Sequence, residues 1–249
     1  MQKARVALET LTVPTGSFDA WGQWEHRYTV WVLYPNAPVY NRNNSRPMGT
    51  LRILRKPGRG CDIEFDITQT TLLNTHAHTR CRVDARITCV DDNLTTPRSW
   101  EIESMLLDAT GNPVKGTQAQ STGWVAGGAI HRFGKRLTRL SAPEFFTSNW
   151  SLFDALQRLP KALVAPMTFD LIEEMDLFKP NQRLVQGHTQ QVIVGGQAII
   201  LHGFKQIGEG ILPLDYWLDD QGRLLVAVSG MRAYIYDSSM QLSRIVRSE

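Results

Sequence analysis

Apolar and polar residues alternate along most of this chain with a period of two, the mark of strands that bury one face. In HRYTVWVLYP, Tyr28, Val30, Val32 and Tyr34 share one face, and Trp31 and Leu33 share the other. CDIEFDIT sets Ile63, Phe65 and Ile67 opposite Asp62, Glu64 and Asp66. CRVDARITCV sets Val83, Ala85, Ile87 and Cys89 opposite Arg82, Asp84, Arg86 and Thr88. One packed face and one wet face belong to antiparallel sheets rather than to βαβ units. Turn signals separate the runs: Pro57-Gly58, Asp91-Asp92-Asn93, Gly127-Gly128, Gly195-Gly196 and Ser229-Gly230. LLDATGN and LDDQGR share a D-x-x-G form, which predicts a type I turn closed by a left-handed glycine.

Two segments break the alternation. SLFDALQRL places Leu152, Phe153, Leu156 and Leu159 at helical spacing, and Ser151 with Asp154 has the form of a capping-box variant. TFDLIEEMDLF places Leu171, Ile172, Met175 and Phe178 on one stripe, with Thr168 as N-cap, Pro180 as terminator and a solvated acidic face. The expected layout is a single domain: an N-terminal extension 1–24, strands over 25–140, helices over 150–178, strands over 183–237, and a peripheral tail 238–249. The fold class is mainly β: a curved antiparallel meander sheet, half-barrel-like, with two helices packed on its concave side.

Composition narrows the function classes. With 249 residues, 42% hydrophobic and 20% charged, the chain can bury a substantial core. No apolar run is long enough for a transmembrane helix, so no transmembrane segment is expected. The net charge of +3 is mild, and nucleic acid is not an expected partner. Two basic clusters stand out, RILRKPGRG and HRFGKRLTR; with Phe133 their one Phe, Tyr or Trp, they lack the series of interleaved aromatics of a base-stacking platform. MQKARVALETLTVPTGSFDA has no signal-like apolar run; the protein is expected to be periplasmic or secreted if a leader has been removed, and cytoplasmic otherwise. Cys61, Cys81 and Cys89 read as small buried apolar residues, with pairing of Cys61 to either of the others left open.

Candidate chemistry is sparse. His76 and His78, two apart on a strand, point the same way and are metal candidates only if further ligands converge; turn or surface histidines are the alternative, and neither a metal nor any other cofactor is expected. DYWLDD sets Asp215, Trp217 and Asp219 on one face, which permits a carbohydrate wall or an acid–base pair. No G-x-S-x-G nucleophile motif occurs. The seven tryptophans can line an apolar ligand cavity or fill a core, and Trp21 and Trp24 are placed to cover the sheet edge.

From LHGFKQIGEGILPLDYWLDDQGRLLVAVSGMRAYIYD the chain resembles secreted bacterial proteins of unknown function whose half-barrel fold is like that of the lipoprotein-localisation carriers. Gly203, Gly208, Gly210, Pro213, the Tyr216-Trp217-Leu218 strand, Gly222 and Leu224 carry the likeness, with TSNWSLFDALQRLP upstream. It implies an extracytoplasmic, non-catalytic role with an apolar concave face. The resulting expectation is a binding protein for a hydrophobic small molecule, a lipid or a protein partner, of unknown oligomeric state. Its expected ligand wall is Asp215, Tyr216, Trp217 and Tyr234. The alternatives are a carbohydrate- or lipid-directed hydrolase and a structural or assembly subunit.

Overall fold

The computed structural model describes residues 10–33, 45–74, 78–134, 136–194 and 196–238. Its strands are β1 (Trp24–Leu33), β2 (Ser45–Pro57), β3 (Asp62–Asn74), β4 (Thr79–Val90), β5 (Pro97–Leu107), β6 (Ala119–Ala126), β7 (Ala129–Phe133), β8 (Leu137–Ser141) and β9 (Phe146–Ser148), then, after the helix α1 (Ser151–Arg158), β10 (Met167–Glu173), β11 (Leu177–Val194), β12 (Gln197–Ile207), β13 (Leu214–Leu218), β14 (Leu224–Val228) and β15 (Arg232–Tyr236). All belong to one open, curved sheet in the order β8-β7-β6-β5-β4-β3-β2-β1-β15-β14-β13-β12-β11-β10-β9. It is two meanders, joined where β1 pairs antiparallel with β15. The only parallel pairing among the described strands is β9 with β10.

The mainly β reading holds, with one correction: among the described residues there is one helix, not two. The segment read as a second helix, TFDLIEEMDLF, is instead the hairpin of β10 and β11. Its tight turn carries Glu174 and Met175 at φ 51° and 57°, and Asp176 N–H donates to Glu173 O at 3.0 Å. Neither residue favours the left-handed region, so the turn has no local signal. Pairing with β9 on one side and β11 on the other overrides the helical stripe. Pro180, read as a helix stop, sits where the β10–β11 register shifts, a position that needs no ladder donor. The twin D-x-x-G turns form as expected. Gly111 (φ 88°) donates to Asp108 O, Gly222 (φ 82°) donates to Asp219 O, and each aspartate carboxylate accepts two further backbone N–H groups.

The remaining helix, α1, packs on the inner face of the sheet, and every residue from Ser151 to Gln157 is buried. Phe153 meets Tyr28, Tyr216 and Tyr234 edge-on, at 5.3, 6.4 and 5.7 Å between ring centroids. A helix buried all round must satisfy its polar side chains internally. Ser151 exchanges hydrogen bonds with Ser148: Ser148 N–H donates to Ser151 Oγ and Ser151 N–H to Ser148 Oγ, both at 3.0 Å. This replaces the expected Ser151–Asp154 cap. Gln157 Oε1 accepts Leu224 N–H at 3.0 Å.

Asp154, 0% exposed, lies 2.9 Å from both Arg55 Nε and Arg158 Nε and accepts the Thr95 hydroxyl at 2.8 Å. Arg55 also donates to the Gly22 carbonyl at 2.6 Å and to that of Trp21, whose ring lies under the Arg158 guanidinium at 4.7 Å. Of the two tryptophans expected to cover the sheet edge, Trp21 caps this ion cluster, whereas Trp24 is the first residue of β1 and is buried in the core.

The two halves of the sheet treat their outer faces differently. Over β1–β4 the outer face carries cross-strand ion pairs, Glu25–Arg52 at 2.8 Å and Lys56–Asp66 at 2.8 Å among them. Over β14 it is dry: all five residues of that strand are buried, and beside it Trp217 meets the His188 ring, centroids 5.2 Å apart. LLVAV is accordingly a continuous apolar run rather than an alternating one.

Two measurements follow. Asp154→Ala removes the buried carboxylate between two guanidiniums and leaves them only the exposed Asp91 as an anionic partner, and urea denaturation is expected to show a loss of about 3 kcal/mol. His26 is buried among Phe18, Trp24, Tyr28 and Tyr236, and burial, with Arg223 adding to it, lowers its pKa from 6.5 to about 3. The folded protein holds the ring neutral where the unfolded chain would take up a proton. Stability conferred by the neutral ring is therefore present above pH 6.5 and falls by about 1.4 kcal/mol per pH unit as pH drops toward 3. His26→Phe is expected to remove that slope from the stability–pH curve measured by denaturation.

Candidate binding cleft

The inner face is not filled evenly. Next to α1, the row across β2–β5 is bulky: Arg55, Phe65, Ile87 and Trp100 stand in register. Two residues along, Ile102 faces Ser121, and beyond it Val83, Ser104 and Ala119 align. Side chains shrink along the strands, so the sheet opens away from the helix. The space left is a cleft of about 450 Å³. Its apolar floor is Val83, Ile102 and Trp150, the last fixed by Nε1–H donation to Gln69 Oε1 at 3.3 Å.

The rim is charged and comes from both ends of the sheet. On one side are Arg132 of β7 and Arg136, which precedes β8. On the other is the β10–β11 turn with Glu174 and Asp176. Arg132 spans the gap, donating to the Asp176 carbonyl at 2.6 Å and to its carboxylate. Asn149 Oδ1 accepts Glu174 N–H at 2.7 Å and holds the turn. Burial raises the Glu174 carboxyl above its usual range; Arg232 and Lys179 pull against this, while Glu173 and Asp176 add to it. Burial, then Glu174, raises the Cys81 thiol. Arg136 has no ion-pair partner among the described residues, which leaves one cation of the rim free for a ligand.

The residues expected to form a ligand wall do not share one surface. Tyr216 and Tyr234 are packed on Phe153, and the Tyr216 hydroxyl donates to Gln206 Oε1 at 2.7 Å. Trp217 is buried on the opposite face. Asp215 is an outer-face residue 3.4 Å from Lys205. Asp219, its suggested acid–base partner, accepts the N–H groups of Gln221 and Arg223 and so closes its turn. His78 takes φ 50° in a turn, and His76 lies outside the described residues. Among the described residues no three His, Cys, Asp or Glu side chains are grouped to hold a metal ion. All three cysteines are free thiols, and Cys61, expected to be buried, is exposed at the β2–β3 turn because the alternation ends there.

Gly123 makes room for Trp100, in the bulky row beside the cleft. The Trp100 indole lies so close that a Cβ at Gly123 would come within 2.2 Å of it. Gly123→Ala must push Trp100 toward Ile172 and Met175 across the seam. The expected result is a loss of roughly 1–3 kcal/mol in denaturation, with a shifted tryptophan emission.

No protein-family model matches the chain, and no curated protein matches it. Among solved structures it is similar to a beta-barrel-like protein of the domain of unknown function DUF1849 from Brucella abortus. The identity is 9% and the TM-score 0.53, over 85% of this chain and 95% of that one. The likeness is one of fold.

Proposed function

We propose that this is a non-catalytic binding protein whose ligand is amphipathic and sits in the cleft between β4–β8 and the β10–β11 turn. The observation that carries the reading is the pairing of an apolar floor with a charged rim in a space of about 450 Å³. That volume falls within the range of small-molecule sites, and few, well-placed polar groups around an apolar floor are their usual chemistry. The free guanidinium of Arg136 favours an anionic head; Val83, Ile102 and Trp150 favour a short apolar body. The deeper concavity is occupied by Phe153 and its three tyrosines, so the ligand is held at the mouth rather than against the helix.

The dye 1-anilinonaphthalene-8-sulfonate, an apolar body with one sulfonate, tests this. One saturable site per folded chain is expected, weakened at least tenfold by Ser121→Trp, which fills the cleft, and several-fold by Arg136→Ala. Absence of a saturable site, or one indifferent to both substitutions, removes the reading.

A further inference from the structure

The sheet has two terminal strands, and they differ. β9 is three residues long and wholly buried. All five residues of β8 are exposed, and it pairs without a bulge from Leu137↔Phe133 to Ser141↔Ala129. One edge of a regular strand is therefore unpaired among the described residues. Proteins usually guard such an edge with shortness, bulges or charge. Here charge is present, but so are Phe133, Leu137 and Leu140, exposed by 54%, 60% and 50%. Guarding alone does not call for three exposed apolar side chains beside an open backbone edge.

The charge of this wing has one sign. Residues 109–143 contain no aspartate or glutamate and five basic residues: Lys115, Arg132, Lys135, Arg136 and Arg139. Arg132 is taken up by Asp176. Arg139 has no ion-pair partner among the described residues, and its pairing with His131 places it on the outer face. Leu140, opposite Ile130, lies on the inner face at the seam with Phe178.

We propose that β8 is an acceptor edge for an acidic peptide, which binds in extended form as a further antiparallel or parallel strand. The open N–H and C=O groups of β8 supply backbone hydrogen bonds, and the alternation of β8 sets the sequence preference. Apolar peptide side chains on the inner face meet Leu140 and Phe178; on the outer face, which also carries Phe133 and Leu137, acidic ones meet Arg139. Complementary charge also speeds the encounter and makes binding weaken with salt.

A fluorescein-labelled ten-residue peptide of alternating valine and glutamate, followed by anisotropy with the full chain, is the test. Saturable binding is expected, at least fivefold weaker with Arg139→Glu and abolished when the peptide's backbone nitrogens are methylated. Dye binding in the cleft is expected to survive Arg139→Glu, so failure of this proposal and failure of the cleft reading are separable. No binding of the Val/Glu peptide, equal binding of a Val/Lys peptide, or binding that survives N-methylation overturns the proposal. So does binding of phosphatidylserine vesicles without peptide binding, which assigns the wing to a lipid surface. A dimer in sedimentation that Arg139→Glu dissolves overturns it too, by assigning the edge to a second copy.

Discussion

The contact on which the rest depends is the carboxylate of Asp154 between two buried guanidiniums. α1 is only eight residues long, too short to hold its form in water without packing. Asp154 ties it to β2 through Arg55, to its own last turn through Arg158 and to the β4–β5 loop through Thr95. Burial raises the Asp154 carboxyl, and Arg158, Arg55 and Thr95 pull it back down. Such a cluster adds little net stability compared with apolar packing, but a misplaced helix would leave charges unpaired in the interior. The cost of error is what fixes the helix in place. Arg55 carries that requirement on to the N-terminal segment through the carbonyls of Trp21 and Gly22.

A fixed helix decides where the sheet is filled and where it is open. Phe153 occupies the space among Tyr28, Tyr216 and Tyr234, so the aromatic wall of β13 and β15 is core. Away from the helix the residues become Ser104, Ser121 and Val83, and space remains. The sheet ends close that space with side chains, Arg132 on Asp176, rather than with a backbone ladder. A seam of that kind leaves β8 unpaired and the cleft accessible, and both proposed binding properties arise from it.

Much of this was legible in sequence. The alternation in β3 and β4, the glycine turns and α1 all follow from residue type and spacing. The β10–β11 hairpin was not, because Glu174 and Met175 are poor turn residues and the apolar spacing fits a helix stripe equally well. Nor was the two-sided burial of β14, since a short apolar run does not say what covers each face. For the site, HRFGKRLTR marked one rim through its charge, yet Glu174 and Asp176 were placed on a solvated helical face. Their meeting with Arg132 depends on bringing the two ends of the sheet together, a non-local fact with no local signature. Tyr216, Trp217 and Tyr234 drew attention as aromatics, and packing accounts for all three.

Hydrogen–deuterium exchange resolved along α1 tests the account most directly. If the Asp154 cluster holds the helix inside the sheet, amides from Leu152 to Gln157 exchange only as slowly as those of β14, through global unfolding. Exchange of α1 within minutes while β14 stays protected would mean the helix leaves its place independently, contradicting the account.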